Sequence, residues 1–277
     1  MGSYARPNSL TEALDLMAQG GRRFLAGGTD LYSGAGLRLS GDILDLTGVD
    51  RFTGIKTEVN GDLRIGACTT WSEIAEANLP PALGALRAAA RQVGGRQIQN
   101  VGTIGGNLCN ASPAADGVPP LLAVDAEVEL VSPRSTRRLP LAGFITGPRQ
   151  TVLRPDEALA AVLIPQSSLT GGSAFIKLGA RAFLVISIAM VAARIVIEGG
   201  RVHEAAIAVG ACSAVACRLF AVEAALTGAA VSELPDRIDP SAVVAALAPI
   251  DDIRATAAYR ARAAAELVHR AVIEAMA

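Results

Sequence analysis

The sequence predicts an α+β fold in two parts, with a larger domain over residues 1–168 and a smaller α+β domain over 171–277 built on an antiparallel sheet. Three observations predict it. Short apolar and β-branched runs alternate irregularly with stretches of helical periodicity. Asn60-Gly61 and Glu198-Gly199-Gly200 carry hairpin chemistry, which implies antiparallel pairing around both. A polar, turn-like stretch at 165–170 runs into Gly171-Gly172-Ser173, the best boundary signal in the chain. The hydrophobic fraction, 51% of 277 residues, is ample for the cores of one large domain or two smaller ones.

The elements follow in order. An extended entry ends near Pro7, and Ser9-Leu10-Thr11-Glu12 reads as a capping box. Leu10, Ala13, Leu14 and Met17 share one face of the helix that follows, and Gly20-Gly21 ends it. Phe24-Leu25-Ala26 is a short strand leading into the turn Gly27-Gly28-Thr29-Asp30. Residues 43–46 and 63–66 read as further strands. Thr70 caps a short helix over 71–77, and Pro80-Pro81 separates it from a helix over 82–93. Residues 94–118, rich in Gly, Asn, Ser and Pro, read as a long irregular loop, and such loops inside compact domains are usually functional. A strand over 124–131 follows. Beyond the boundary, 175–178, 184–197 and 205–209 read as antiparallel strands, and alanine-rich helices close the chain over 218–227 and 256–276.

Composition narrows the function. The formal net charge is −1 and no basic run is present, so neither nucleic acid nor an anionic membrane surface is indicated. The longest apolar run, 182–193, falls short of the roughly 20 residues a membrane span needs and reads as buried core. No apolar signal segment opens the sequence, and Cys68, Cys109, Cys212 and Cys217 are scattered, which fits reduced thiols in the cytoplasm. The cysteine spacings match no zinc or iron–sulfur site, so no metal ligands are assigned. There is no G-x-G-x-x-G and no Walker loop, and the two lysines, Lys56 and Lys177, follow no glycine loop. His203 and His269 lie beside no partner that would make a triad, and no catalytic residue is assigned.

Two double-glycine loops remain. The first is Arg23-Phe24-Leu25-Ala26-Gly27-Gly28-Thr29-Asp30-Leu31; the second runs from Gly102 through Thr103, Gly105, Gly106, Asn107 and Ser112 to Asp116. Adjacent glycines let backbone N–H groups turn toward an anion, and successive N–H groups form an anion-binding nest. Two nests, with Thr29, Thr103, Asn107 and Ser112 as side-chain partners, would suit a pyrophosphate and sugar hydroxyls, with Asp116 accepting from a hydroxyl or an amine. Either loop alone reads rather as a tight turn; together, with the unusually long second one, they point to a ligand.

Together, in this order and separation, the loops resemble those of the FAD-binding subunit of the molybdenum hydroxylases, the xanthine dehydrogenase family. The segments that carry the resemblance are Arg6-Pro7 with Ser9-Leu10 and Glu12-Ala13, then Gln97-Ile98 with 100–107, then Leu163-Ile164-Pro165, Phe175, Lys177 and Arg181, and finally 224–228. The likeness spans the whole chain, and 100–107 is its most specific part. It implies a two-lobed FAD-binding domain, split near 55–60, ahead of the carboxy-terminal domain. It assigns Arg23 to Leu31 to the FAD pyrophosphate and ribityl region, and Thr103, Gly106, Asn107 and Asp116 to the phosphates and adenosine half. Leu159 and Lys177 would lie near the isoalloxazine ring, where a cation favours the reduced ring. Val93 stands where some relatives stack an aromatic residue on the flavin, and Gln99 where many carry arginine. Asn110-Ala111-Ser112-Pro113 is closer to the xanthine dehydrogenase branch.

The implied path runs from a large molybdopterin subunit through 2Fe-2S clusters in a small iron–sulfur subunit to FAD here, and then to a terminal electron acceptor. A stand-alone FAD-dependent oxidase, a non-catalytic nucleotide-binding assembly module and a purely structural protein are the alternatives.

Overall fold

The computed structural model describes residues 2–35, 39–182 and 184–277. Phe183, within the apolar run 182–193, lies outside the described residues. The chain builds three main sheets in sequence.

The first sheet is small and parallel, with β1 (Tyr4–Ala5), α1 (Leu10–Ala18), β2 (Arg22–Leu25), α2 (Thr29–Ser33) and β3 (Asp42–Asp45), ordered β1-β3-β2. Ser9 caps α1 as expected, its hydroxyl accepting from Glu12 N at 3.2 Å. The return bond differs: Glu12 accepts from Asn8 N at 3.0 Å rather than from Ser9 N. The reciprocal box is completed instead at Thr70, whose hydroxyl accepts from Glu73 N while the Glu73 carboxylate accepts from Thr70 N. Ala13 and Met17 are the residues α1 buries.

The second sheet holds β4 (Ile55–Thr57) and β5 (Leu63–Gly66), an antiparallel pair turned at Gly61, whose φ of +86° suits glycine. Four short helices follow β5, namely α3 (Trp71–Glu76), α4 (Gly84–Ala90), α5 (Arg96–Val101) and α6 (Ile104–Asn110), and then α7 (Val118–Ala123). The stretch 94–118 is therefore mostly two short helices, the second capped by Thr103, and a turn, not an irregular loop. Its Gly and Asn content reflects short helices with frequent ends, where such residues belong. Next come β6 (Glu127–Val131), β7 (Thr136–Pro140), the small pair β8 (Ile145–Gly147) and β9 (Gln150–Thr151), and β10 (Ala158–Ile164). The strand expected over 124–131 starts at 127 because α7 runs to 123. The order β4-β5-β10-β6-β7 puts β10 at the centre, buried at every position, antiparallel to both β5 and β6.

The third sheet is antiparallel, ordered β11 (Gly172–Leu178), β12 (Ala189–Glu198), β13 (Arg201–Gly210), β14 (Cys217–Arg218). Glu198-Gly199-Gly200 turns the β12–β13 hairpin, with both glycines at positive φ. The strand expected over 184–197 begins at 189, since Leu184 has φ +54° and breaks the extended run. Four helices close the chain: α8 (Phe220–Leu226), α9 (Leu234–Arg237), α10 (Pro240–Ala245) and α11 (Ala257–Glu274), the last capped by Thr256.

Core packing explains the strand composition. One core, including Leu44, Phe52, Ile65, Trp71, Leu108, Leu130 and Val162, serves the first two sheets. A second lies between the third sheet and α8 and α11, with Val191, Ile195, Ile207, Val222, Leu267 and Val268. On the other face of that sheet, Ala85, Ala89 and Ala123 of α4 and α7 meet Phe175, Met190, Ala192 and Ala206. Residues 189–196 of β12 are thus covered on both faces, and such a strand is apolar without alternation, here interrupted only by Arg194.

Candidate functional site

A cavity of about 500 Å³ opens between the first sheet and the second, within the size range of cofactor sites. It is lined by Arg23 through Leu31, by Gly102, Thr103, Gly105, Gly106 and Asn107, and by Leu159 of β10. Of the residues singled out from sequence, Ser112, Asp116 and Lys177 do not line it.

The two glycine pairs do different work. Gly28 has φ +71° and forms the N-cap of α2 with no side-chain cap. Among the described residues, nothing accepts from the N–H groups of Thr29, Asp30 and Leu31; the first backbone bond of that turn is Tyr32 N to Gly28 O at 2.9 Å. These are the free donors that every helix start leaves. Gly27 is required by packing: a Cβ there would lie 1.8 Å from Val101 O.

The second pair makes no nest. Neither Gly105 nor Gly106 has positive φ, and both sit in the first turn of α6. Every N–H of that turn is taken: Ile104 N by Thr69 O, Gly105 N by Ala67 O, Gly106 N by Thr103 Oγ1 and Asn107 N by Thr103 O, at 2.8–3.1 Å. Gly105 is needed because α6 crosses Ala67, whose Cβ would stand 2.6 Å from a Cβ on it. What α6 offers the cavity is a close backbone face at Gly106 and part of Asn107, whose unpartnered Oδ1 is turned away from the cavity and buried against Gly117.

Asp116 and Lys177 meet each other instead. Lys177 Nζ lies 2.6 Å from Asp116 Oδ2, and Ser187 Oγ donates to Asp116 Oδ1 at 2.6 Å. Burial pushes the Asp116 carboxyl up, with the Lys177 cation opposing it. Lys177 also donates to Gln92 O at 3.3 Å, which connects it to Val93 on the cavity wall. Ser112 is spent on its own turn, its hydroxyl accepting from Ala114 N.

The structure also adds wall residues that carried no sequence signal. Leu46, Ala67, Cys68 and Trp71 come from element ends without a motif, and Cys109 and Asn110 sit beside the recognised glycines on α6. Trp71, the sole tryptophan, is buried against Gly102 and Gly117. No group of three or more His, Cys, Asp or Glu among the described residues could hold a metal, and no helix there is long and apolar enough to cross a membrane.

Residues 1–167 match the family model described as FAD binding domain in molybdopterin dehydrogenase, and 174–275 match the CO dehydrogenase flavoprotein C-terminal domain. The chain is 33% identical over 282 residues to the putative xanthine dehydrogenase FAD-binding subunit of Escherichia coli (strain K12), covering 99% of this chain and 96% of that one. It is 31% identical to the nicotine 6-hydroxylase medium subunit of Paenarthrobacter nicotinovorans, covering 98% and 96%. In structure it is similar to reconstituted CO dehydrogenase from Oligotropha carboxidovorans, with a TM-score of 0.89 at 28% identity over 100% of this chain and 98% of that one. Fold, cavity and these likenesses agree: the chain belongs to the FAD-binding subunits of the xanthine dehydrogenase family of molybdenum hydroxylases.

Proposed function

We propose that this chain holds FAD in the cavity between its first two sheets and passes electrons from a partner's iron–sulfur clusters to a terminal acceptor. A small iron–sulfur subunit and a large molybdopterin subunit would complete the enzyme, with substrate oxidation in the large one. The observation that carries the reading is one cavity lined by both glycine-bearing segments, with the free N–H donors of residues 29–31 in its lining.

These groups fit a dinucleotide. Thr29, Asp30 and Leu31 would hold pyrophosphate oxygens through their backbone N–H groups, because such donors point outward at a helix start. Asn107, in the same lining, would donate its side-chain amide to a sugar or ribityl oxygen. Gly106 lets the ligand approach the α6 backbone, and Leu159, Ala158 and Leu153 supply apolar surface that excludes water. When bound, FAD supplies the exchange between single-electron and paired-electron transfer. Asp116 and Lys177 would act through Gln92, by fixing Val93 on the wall. The residue ranges 1–168, split near 55–60, and 171–277 are the working division into domains, supported by the passage from the second to the third sheet between β10 and β11. Four cysteines without disulfides support a reducing, cytoplasmic setting.

The test begins with the purified full chain. It should be yellow, release FAD on denaturation, and, once stripped, show Trp71 fluorescence quenched as FAD is added. Colourless protein that takes up no FAD would refute the proposal. Co-expression with its iron–sulfur and molybdenum partners should yield one complex whose substrate bleaches the flavin. Flavin that substrate reduces without any partner would point to a stand-alone oxidase instead.

A further inference from the structure

Among the strands that end a sheet, β11 combines length with an unguarded edge. Such a strand leaves a row of backbone N–H and C=O groups without a ladder partner, and proteins blunt these edges with charged side chains, proline or brevity. The other edges here are blunted. β1, β9 and β14 have two residues each and β8 three, while β2 carries Arg22 and Arg23, β4 carries Lys56, and β7 carries Arg137, Arg138 and Pro140. β11 has seven residues and no proline, and its one charged side chain, Lys177, is turned inward onto Asp116 at 2.6 Å. Its start is covered, since Ser173 Oγ donates to Pro81 O at 2.8 Å and accepts from Ala85 N at 2.9 Å. Its later part is not. In an antiparallel pair alternate residues direct both backbone groups at the partner strand, and the rest direct them away. Leu178 O faces β12, where it accepts from Ile188 N at 2.8 Å, so Phe175 and Lys177 are the residues whose backbone groups point outward. Among the described residues nothing bonds to those groups. Phe175 is buried, but Ile176, Lys177 and Leu178 are half-buried. This edge lines a second cavity, of about 690 Å³, together with Gln92 and with His269, Arg270, Ile273 and Glu274 of α11.

From this geometry we infer that the β11 edge is a docking groove for an extended polypeptide segment of a partner subunit, which joins the four-stranded third sheet as a further strand beside β11. The inference rests on the proposed assembly with partner subunits and not on FAD. Outward backbone groups at strand spacing are matched by another extended backbone, so the occupant is a peptide strand and not a small molecule. The groove carries charges of both signs, Arg270 and Glu274, so they select neither a strongly acidic nor a strongly basic segment. Selectivity falls instead to side chains, with Ile176 and Ile273 supplying apolar lining for alternate residues of the incoming strand. Ile273 is 37% exposed, a large apolar side chain with nothing over it in the isolated chain. A second copy of this chain does not fit as the occupant. Its own β11 edge lies in the same groove, and two recessed edges cannot meet.

The experiment is hydrogen–deuterium exchange, resolved to single amides by fragmentation in the mass spectrometer. The full chain is compared alone and in the complex formed by co-expression with its iron–sulfur and molybdenum partners. In the free chain the outward Lys177 amide should exchange fast, while the Ile176 and Leu178 amides, which face β12, exchange slowly. In the complex the Lys177 amide should slow at least about tenfold. Ile273→Arg puts a charge at an exposed position of the groove. It should abolish that protection and weaken assembly at least about tenfold by titration, with FAD content unchanged. Circular dichroism checks that the variant stays folded. Unchanged exchange at Lys177 in an intact complex overturns the inference and leaves the assembly standing. So does protection that Ile273→Arg leaves in place, since the covering would then lie outside the groove. Protection that arises in the free chain as its concentration rises would make the occupant a second copy, which overturns the choice of a partner. If no complex forms, this inference and the assembly beneath it both fall.

Discussion

Gly28 and Gly106 look alike in sequence, but their backbones do not. Gly28 sits at φ +71°, where an L side chain is strained, and a Cβ would press to 2.4 Å from the Tyr32 ring. Tyr32 is exposed and can swing away, so the backbone term dominates the cost. Gly28→Ala should therefore cost about 1–2 kcal/mol in stability while misdirecting the free N–H groups of α2. The expected outcome is a folded chain, by circular dichroism, that loses FAD on gel filtration. Retention of stoichiometric flavin would show that the α2 start does not hold the ligand. The glycine pairs themselves were legible in the sequence. What was hidden is that the amides of Ile104 and Gly105 are taken by Thr69 and Ala67, residues more than thirty positions earlier, while Thr103 takes those of Gly106 and Asn107. Local pattern cannot reveal a long-range acceptor, so the more recognisable loop was credited with donors that only the first loop has free.

At the scale of elements, β10 is the strand that brings Leu159 to the cavity, and its entry is fixed by Glu157. Arg137 of β7 donates to both Glu157 oxygens, Nε at 2.7 Å and a terminal nitrogen at 2.8 Å, and Arg154 N donates at 3.0 Å. The Arg137 hydrogen bond holds the Glu157 carboxyl below its ordinary value. A depressed carboxylate contributes stability that is full above its unfolded value and is lost as pH falls through the folded one. Glu157→Gln should therefore cost about 2 kcal/mol at neutral pH, and the gap to wild type should close once pH drops below the ordinary glutamate range. Urea denaturation at several pH values checks this; a gap independent of pH would mean that the charge is not what matters. None of this was visible in the sequence, because β10 pairs Ile164 with Leu63 across about a hundred residues. By contrast, α1, α3 and α11 were readable, since each begins with a local cap at Ser9, Thr70 or Thr256.

Across the whole molecule, the α+β class and the antiparallel carboxy-terminal sheet were predictable from hairpin turns and strand runs. How the third sheet joins the rest was not, because the join is made by side chains meeting backbone carbonyls. Arg194, wholly buried on β12, donates to Ala123 O at 2.9 Å and to Thr170 O at 3.3 Å, and pairs with Glu204. Arg218 of β14 donates to Leu122 O at 3.1 Å and to Asp125. Both reach the carboxy-terminal end of α7, where Leu122 O also accepts from Asp125 N. The apolar contact beneath them is made largely of small alanines, so these arginines provide the directional part of the join. Arg194→Met fills similar volume but strands Ala123 O in a buried site, which costs about 1–3 kcal/mol. If the clamp couples the two parts, wild type should melt in one calorimetric transition and Arg194→Met in two, the earlier one belonging to the third sheet. Because Lys177 and Ser187 reach Asp116 from that sheet's side of the join, the variant should also release FAD faster than wild type. A single transition at an unchanged midpoint would show that the alanine contact suffices, and that Arg194 merely occupies it.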